Sequence, residues 1–479
     1  LKTSCDVPAP LNQRRTTTFD QRAPTFVPTL VSCPDQRTYP KNGPGKIIKF
    51  RQIYTKRFKS WSVKKMATGF PQTTLRLRLL LLFLQQTIAV HHTYDVVVYD
   101  GSSGGVTAAV AAARNGHRTA LLCGSYPACF LDGGQRVGGL SSGGLGQTDI
   151  GPTWPYIGGL AREFYHRNRV HYGNLSTTTT TTTTPCRLPT QPGCNEIAFN
   201  LEPHVARSIY EDMLNESHVD VYYGAQVQSV RMKQTNNTNN TTTIETVTVL
   251  NGTSFSARIF VDASYEGDLM NYAGVTSVVG REARSHYNES LAGFRINATE
   301  NQFSLRVNPF DANGQPLPLT TLPPSDSTLV EGMADKKVQS YNFRLCVTKV
   351  SSNMVPFPKP FNYQAATFEL LRRYLVKCAA SNSCELGIPS CNTQAVPSLK
   401  YDMNNCGGLS SDFIGGSSSY PDATFSERKV IWQKHLQYQQ GLLYYLSNDP
   451  GVPIKFRLEM EQWGLCADEF QDNLLAPHW

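Results

Sequence analysis

Residues 95–123 constrain the fold more than any other part of the chain. Asp95-Val96-Val97-Val98-Tyr99 is a short apolar run without polar alternation, the pattern of a strand buried on both faces. Asp100-Gly101-Ser102-Ser103-Gly104-Gly105 turns the chain, and Val106–Arg114 is Ala-rich and helix-forming. Asn115-Gly116 supplies a helix stop, and Thr119-Ala120-Leu121-Leu122-Cys123 returns as a second strand. This spacing is that of a βαβ unit, which allows only a parallel pair with a right-handed crossover. The small residues of the turn let backbone approach a pyrophosphate, and the helix N-terminus offers N–H groups at the positive end of its dipole. Gly105 is expected to allow close helix–strand packing. Set on the GxGxxG pattern, Asp100 stands at the first glycine and Ser102 at the second. Cys123 stands where an acidic residue would hold a ribose hydroxyl.

The wider composition excludes several classes. Apolar residues make up 40% and charged residues 17%, enough for a core in two or three domains. The net charge is +8, but residues 1–65 hold 14 Lys+Arg against 3 Asp+Glu, so residues 66–479 carry a net −3. A basic body that recruits nucleic acid is therefore excluded for most of the chain. No apolar run reaches the ~18–20 residues of a membrane span. Residues 1–65 read as a disordered basic leader or a non-coding extension. Residues 66–89 read as a signal peptide: Arg76 and Arg78, the apolar Leu79–Leu84, then the small-x-small Thr87-Ile88-Ala89. Glycosylation sequons at Asn174, Asn215, Asn236, Asn239, Asn240, Asn251, Asn288 and Asn297 agree with export to a secreted or secretory-lumen location. So do the cysteines: the chain has 12, Cys5 and Cys33 lie in the leader, and the remaining even number suits disulfides whose pairing stays open. No CxxC or paired-His spacing marks a metal site.

A second glycine cluster follows the βαβ unit: Gly133-Gly134, then Val137-Gly138-Gly139-Leu140-Ser141-Ser142-Gly143-Gly144-Leu145-Gly146, with Thr148-Asp149 behind. So many glycines beside Leu and Val imply positive φ or close approach to a ligand. "YDVVVYDGSSGGVTAAVAAARNG" followed by "VGGLSSGGLGQTDIG" resembles the FAD-dependent oxidoreductases of the glutathione-reductase-like superfamily, in the branch often described as xanthan-lyase-like. The segment "FVDASYEGDLMNYAGV" and the shorter "VGREA", "SYNFRLC" and "WGLCADEF" are similar to the same branch.

The resemblance implies an α/β chain: a Rossmann-like FAD-binding domain with an antiparallel β-meander crossover and a discontinuous α+β cap. It places the FAD-binding domain at 90–150 and 200–275, a loop or cap insertion with the threonine tract 177–184 at 151–199, and a substrate or cap region at 276–479. The meander is expected over Gln226–Met232, Ile244–Leu250 and Ser254–Val261, its second turn at Asn251-Gly252. By resemblance the cofactor residues are Gly101, Ser102, Ser103, Gly104, Gly105 and Cys123, then Gly138, Gly139, Ser141, Ser142, Gly143 and Gly144. Val227 near the adenine and Asp262, Ala263 and Ser264 near the flavin complete the set. A C-terminal segment that closes the flavin site in relatives is expected to be missing. The function implied is a hydride transfer between FAD and a small organic substrate, the alternative being a non-catalytic or truncated secreted glycoprotein on a degenerate scaffold. An NAD-linked dehydrogenase would need neither the second glycine cluster nor the Asp262 segment. The catalytic acid or base is not assigned: Asp149, Glu266, Asp268, Arg281 and His286 are the polar candidates, with an ion pair the plainer reading of Arg281.

Overall fold

A computed structural model describes residues 90–124, 135–148, 155–173, 197–234, 241–295, 302–320, 330–381, 393–404 and 407–471. All of these belong to one compact unit, Leu79–Trp479. The leader, the signal-like segment, Gly133-Gly134, Asp149, the threonine tract and the last eight residues lie outside the described residues.

The βαβ unit forms where the sequence places it. Strand β1 (His91–Tyr99), helix α1 (Ser103–Arg114) and β2 (Thr119–Cys123) follow in order, and β2 pairs in parallel with β1 from Val96↔Thr119 to Tyr99↔Leu122. Asn115 is the C-cap and Gly116 takes a left-handed φ of 83°. The run Val97-Val98-Tyr99 is fully buried because both faces of β1 are covered. Val96 and Val98 face a core shared with α1, with α2 (Gly159–Gly173) and with α3 (Pro203–Glu216). Val97 and Tyr99 face the opposite core, with Ala120, Leu122, Val247 and Phe255. Each such side chain contributes roughly 1.5–3 kcal/mol of burial. Helix α2 lies within 151–199, the expected insertion; its Leu160, Phe164 and Asn168 recur at helical spacing and turn toward this core.

The sheet continues on both sides of β1. β3 (Asp220–Tyr223) pairs in parallel with β2. The meander β4 (Val227–Gln234), β5 (Thr242–Val249) and β6 (Ser254–Asp262) joins through β6, parallel to β1 from His91↔Ser254 to Tyr99↔Asp262. The order is β3-β2-β1-β6-β5-β4, parallel in its first half and antiparallel in its second. Gly252 at φ 85° makes the turn between β5 and β6. The short α4 (Asp268–Tyr272) and α5 (Arg284–Tyr287) follow.

A second, five-stranded sheet lies in the C-terminal region, order β8-β11-β7-β10-β9. Its strands are β7 (Leu345–Thr348), β8 (Met354–Val355), β9 (Thr393–Val396), β10 (Lys400–Met403) and β11 (Gly464–Cys466). Helices α6 (Glu369–Ser381), α7 (Phe425–Asn448) and α8 (Ile454–Met460) share one core with Leu345, Val347, Met403 and Leu465 of this sheet. Thr424 and Glu427 start α7 with a reciprocal capping box, and Leu442, Leu443 and Leu446 carry its buried stripe. No described helix is long and apolar enough to cross a membrane.

Candidate flavin site

Three segments separate in sequence converge at the carboxyl ends of β1 and β6, the end of a parallel sheet where ligands bind. Ser102 joins the first two. Its hydroxyl accepts from the Gly105 N–H at 3.1 Å, capping α1, and donates to the Ala263 carbonyl at 2.7 Å. Gly101 receives the Gly138 N–H at 2.7 Å, so the second glycine cluster docks against the first turn. Gly105 does what its position requires: a Cβ there would collide with the Asp100 carbonyl and press on Ala263. Gly138 turns at φ 102°, and a side chain would run into the Tyr210 ring.

Two phenols staple these segments. Tyr210, on α3, sets its buried ring against Gly138, and burial raises its phenol above the usual value. Tyr265 accepts from the Leu140 N–H at 2.9 Å. Ser142 is buried and donates to the Val137 carbonyl at 2.5 Å, Gly139 and Ser141 form one short 3-10 turn, and Gly143 donates to the Leu140 carbonyl at 3.1 Å. Gly144 is buried against the Arg344 carbonyl, which leaves no room for a side chain. Asp262 does not reach outward. Its carboxylate accepts from the Ser264 N–H (2.9 Å), the Ser264 hydroxyl (2.6 Å) and the Met270 N–H (2.8 Å), fixing the loop that leads into α4.

Cys123 and Val227 lie together at a neighbouring edge, where the Ala225 N–H donates to the Cys123 carbonyl at 3.0 Å. Both are fully buried. The Cys123 sulfur packs 3.7 Å from the Arg136 carbonyl, and the Val227 N–H is held by the Tyr99 hydroxyl at 3.2 Å. Asp100 is also fully buried, at φ 84° beneath the turn, while Gly104 is the exposed residue of the first helical turn. That turn holds no acidic side chain. The cradle therefore fits a pyrophosphate-bearing dinucleotide: glycine backbone on two sides, a helix N-terminus of positive character and no exposed carboxylate in the opening turn.

The remaining polar candidates separate clearly. Glu266 is half-buried, accepts from the Tyr341 hydroxyl at 3.1 Å, and is pushed above the usual carboxyl range by burial. Asp268 is buried against Arg428 at 2.7 Å, and Arg428 also donates to the carbonyls of Tyr420 and Pro421. Glu266, Asp268, Tyr341, Tyr420 and Arg428 thus form one polar cluster beside the cradle. Arg281 instead pairs with Asp335, and His286 stays on the surface against Tyr287.

Strand β10 contributes two residues, Lys400 and Asp402, that no sequence motif marked. Asp402 on β10 takes two hydrogen bonds from Arg344 (3.0 and 2.6 Å) and receives the Gly146 and Gln147 N–H groups at 3.1 and 3.3 Å. Lys400 is fully buried with its ammonium 2.6–2.8 Å from Glu202, Glu469 and Asp468, and Glu469 also holds His204. Burial alone would lower the lysine, but these carboxylates outweigh it and hold it above its ordinary value. Glu202, His204 and Glu469 are close enough to ligate a cation, yet the Lys400 ammonium already pairs with both glutamates.

The profile of a family described as FAD dependent oxidoreductase matches residues 95–477. No curated protein matches the chain. Among solved structures, THI4 of Thermovibrio ammonificans shares 15% identity, over 45% of this chain and 76% of its own, at a TM-score of 0.23. The anhydrotetracycline hydroxylase OxyS of Streptomyces rimosus shares 14%, over 40% and 36%, at 0.25. L-proline dehydrogenase of P. horikoshii shares 13%, over 40% and 59%, at 0.25. The chain thus spans less than two thirds of the last two, and the superpositions carry no argument of their own. The family match runs from β1 through both glycine clusters and the second sheet, and on that ground the chain belongs to the FAD dependent oxidoreductase family, an oxidoreductase with FAD as its cofactor.

Proposed function

We propose that the protein is an exported FAD-dependent oxidoreductase that passes a hydride between a small organic substrate and the flavin. The observation that carries this reading is the junction of the three cradle segments through Ser102, Gly101–Gly138 and Tyr265–Leu140. The flavin, when bound, supplies the hydride acceptor or donor. The chain's part is to hold and orient: Gly101–Gly105 and the start of α1 receive the pyrophosphate, and Gly138–Gly144 lie along the ribityl chain. Cys123 and Val227 border the adenosine, and Ala263 and Ser264 flank the isoalloxazine side. The region from 276 onward forms the substrate side, with the Asp402–Arg344 pair holding Gly146 and Gln147 in place. Glu266, raised by burial, keeps a proton to higher pH than an ordinary glutamate.

Export is supported by three observations. The signal-like segment precedes β1. The described sequon asparagines Asn215, Asn251 and Asn288 are all exposed. The cysteines after the leader are even in number, which suits the disulfides that an oxidising compartment sustains.

The test is a visible spectrum of the secreted chain before and after denaturation, with glycosidase treatment of the same sample. About one FAD per chain and a mass loss on deglycosylation are expected. A colourless chain that takes up no added FAD would sink the cofactor role of this chain; an unchanged mass would sink export alone.

A further inference from the structure

Cys346 on β7 and Cys466 on β11 are 120 residues apart in sequence, yet their sulfurs lie 3.1 Å apart. The register of the strand pair explains the contact. Gly464 faces Thr348 and Leu465 faces Val347, so the next step sets Cys466 opposite Cys346. Both side chains are buried, at 0–2% exposure, in a small cluster with Phe470. Among the described residues they are the free cysteines, whereas Cys123 and Cys378 are already disulfide-bonded.

We propose that Cys346 and Cys466 close to a disulfide in the mature protein. The pairing rests on the export reading only for the compartment in which it forms. One thiolate attacks a sulfur of an oxidised low-molecular-weight disulfide such as glutathione disulfide, and the first reduced thiol leaves. The second cysteine thiolate then attacks the protein-side sulfur of the mixed disulfide, forming the Cys346–Cys466 bond and releasing the second thiol. Two electrons from the cysteine sulfurs reduce one disulfide to two thiols, which carry away both protons. The exchange belongs to folding, not to the finished fold. Once β11 docks, neither sulfur meets solvent, and the neighbouring sulfur and burial both push the Cys346 thiol up, which suppresses the reactive thiolate.

The bond would have a structural consequence. β11 is only three residues long, and just beyond it come Asp468 and Glu469, which hold Lys400. A covalent tie at Cys466 keeps those carboxylates in place through strand fraying that three residues of pairing would not resist.

The experiment is peptide mapping of the full-length, FAD-loaded secreted chain, denatured in alkylating reagent without reductant. A peptide pair joined through Cys346 and Cys466 is expected. Alkylation of both in a glycosylated sample whose Cys123 and Cys378 remain disulfide-bonded would overturn the pairing while leaving export intact. If the chain carries no glycan, the same mapping after refolding in a glutathione redox buffer decides, and two alkylated cysteines there overturn the pairing as well. A second readout is thermal unfolding. Reductant should lower Tm by about 3–8 °C more in the wild type than in the double variant Cys346→Ala/Cys466→Ala, which keeps every other cysteine. An equal response of both would also count against the bond.

Discussion

Ser102 shows how one side chain can decide a site. Its hydroxyl satisfies an orphan N–H at the start of α1 and binds the loop after β6, so it replaces with a hydrogen bond the close approach a glycine would allow there. Ser102→Ala removes a helix cap, worth about 1 kcal/mol, and leaves the Ala263 carbonyl and the Gly105 N–H without that partner. A loss of about 1–3 kcal/mol in stability and weaker FAD retention are expected together. Denaturant unfolding and flavin titration check this; a variant that keeps both values would show that the bridge is incidental. Ser102 was identifiable in the sequence as a member of the turn, but its bond to Ala263 was not, because the partner lies 161 residues away. Tyr210 and Tyr265 went unassigned for the same reason. A tyrosine in a helix or after a strand carries no pattern that says which backbone it will reach.

At the scale of elements, the helices over β1 are tied by a ladder of charges. Arg114 of α1 pairs with Glu163 of α2 at 2.6 Å, and Arg167 pairs with Glu163 (2.8 Å) and with Glu216 of α3 (2.5 Å). The Arg114 guanidinium, with Arg167 behind it, holds the Glu163 carboxyl down at about 2, below its usual 4.5. The folded pKa is depressed, so the contribution is present above pH 4.5 and is lost as pH falls toward 2. Solvent screens a partly exposed pair, so Glu163→Gln should cost on the order of 1 kcal/mol near pH 7. The difference from wild type should vanish near pH 2, and urea unfolding at the two pH values measures it. Equal differences at both would remove the ion pair as the cause. The meander falls within two residues of its sequence expectation, and β1 and α1 start four and three residues earlier than expected but end where their stop signals place them. Helix α2 did not stand out, because its apolar stripe is interrupted by Asn168, buried here through bonds to the Ala198 and Asn200 carbonyls.

For the whole molecule, Lys400 is the main junction between the flavin-binding sheet and the second sheet. It sits on β10 and pairs with Glu202 before α3 and with Glu469 after β11. Lys400→Met leaves two buried carboxylates uncompensated and should cost about 3–5 kcal/mol near neutral pH. Stability should recover as pH falls, because the orphaned carboxyls would have raised pKa values and take up protons in the folded state. Adding Glu469→Gln should restore part of the loss. A cost under about 1 kcal/mol would show that the cluster is not the junction. The sequence by itself determined the βαβ unit, the meander, the glycine turns and the family, because each is written in short-range spacing, and backbone sterics and apolar burial act over a few residues. The tertiary structure alone decided the rest. Asp402 reaches the second glycine cluster, Lys400 pairs with Glu202, and Cys466 meets Cys346. Contacts between residues more than a hundred positions apart depend on strand register and sheet order, which no local pattern encodes.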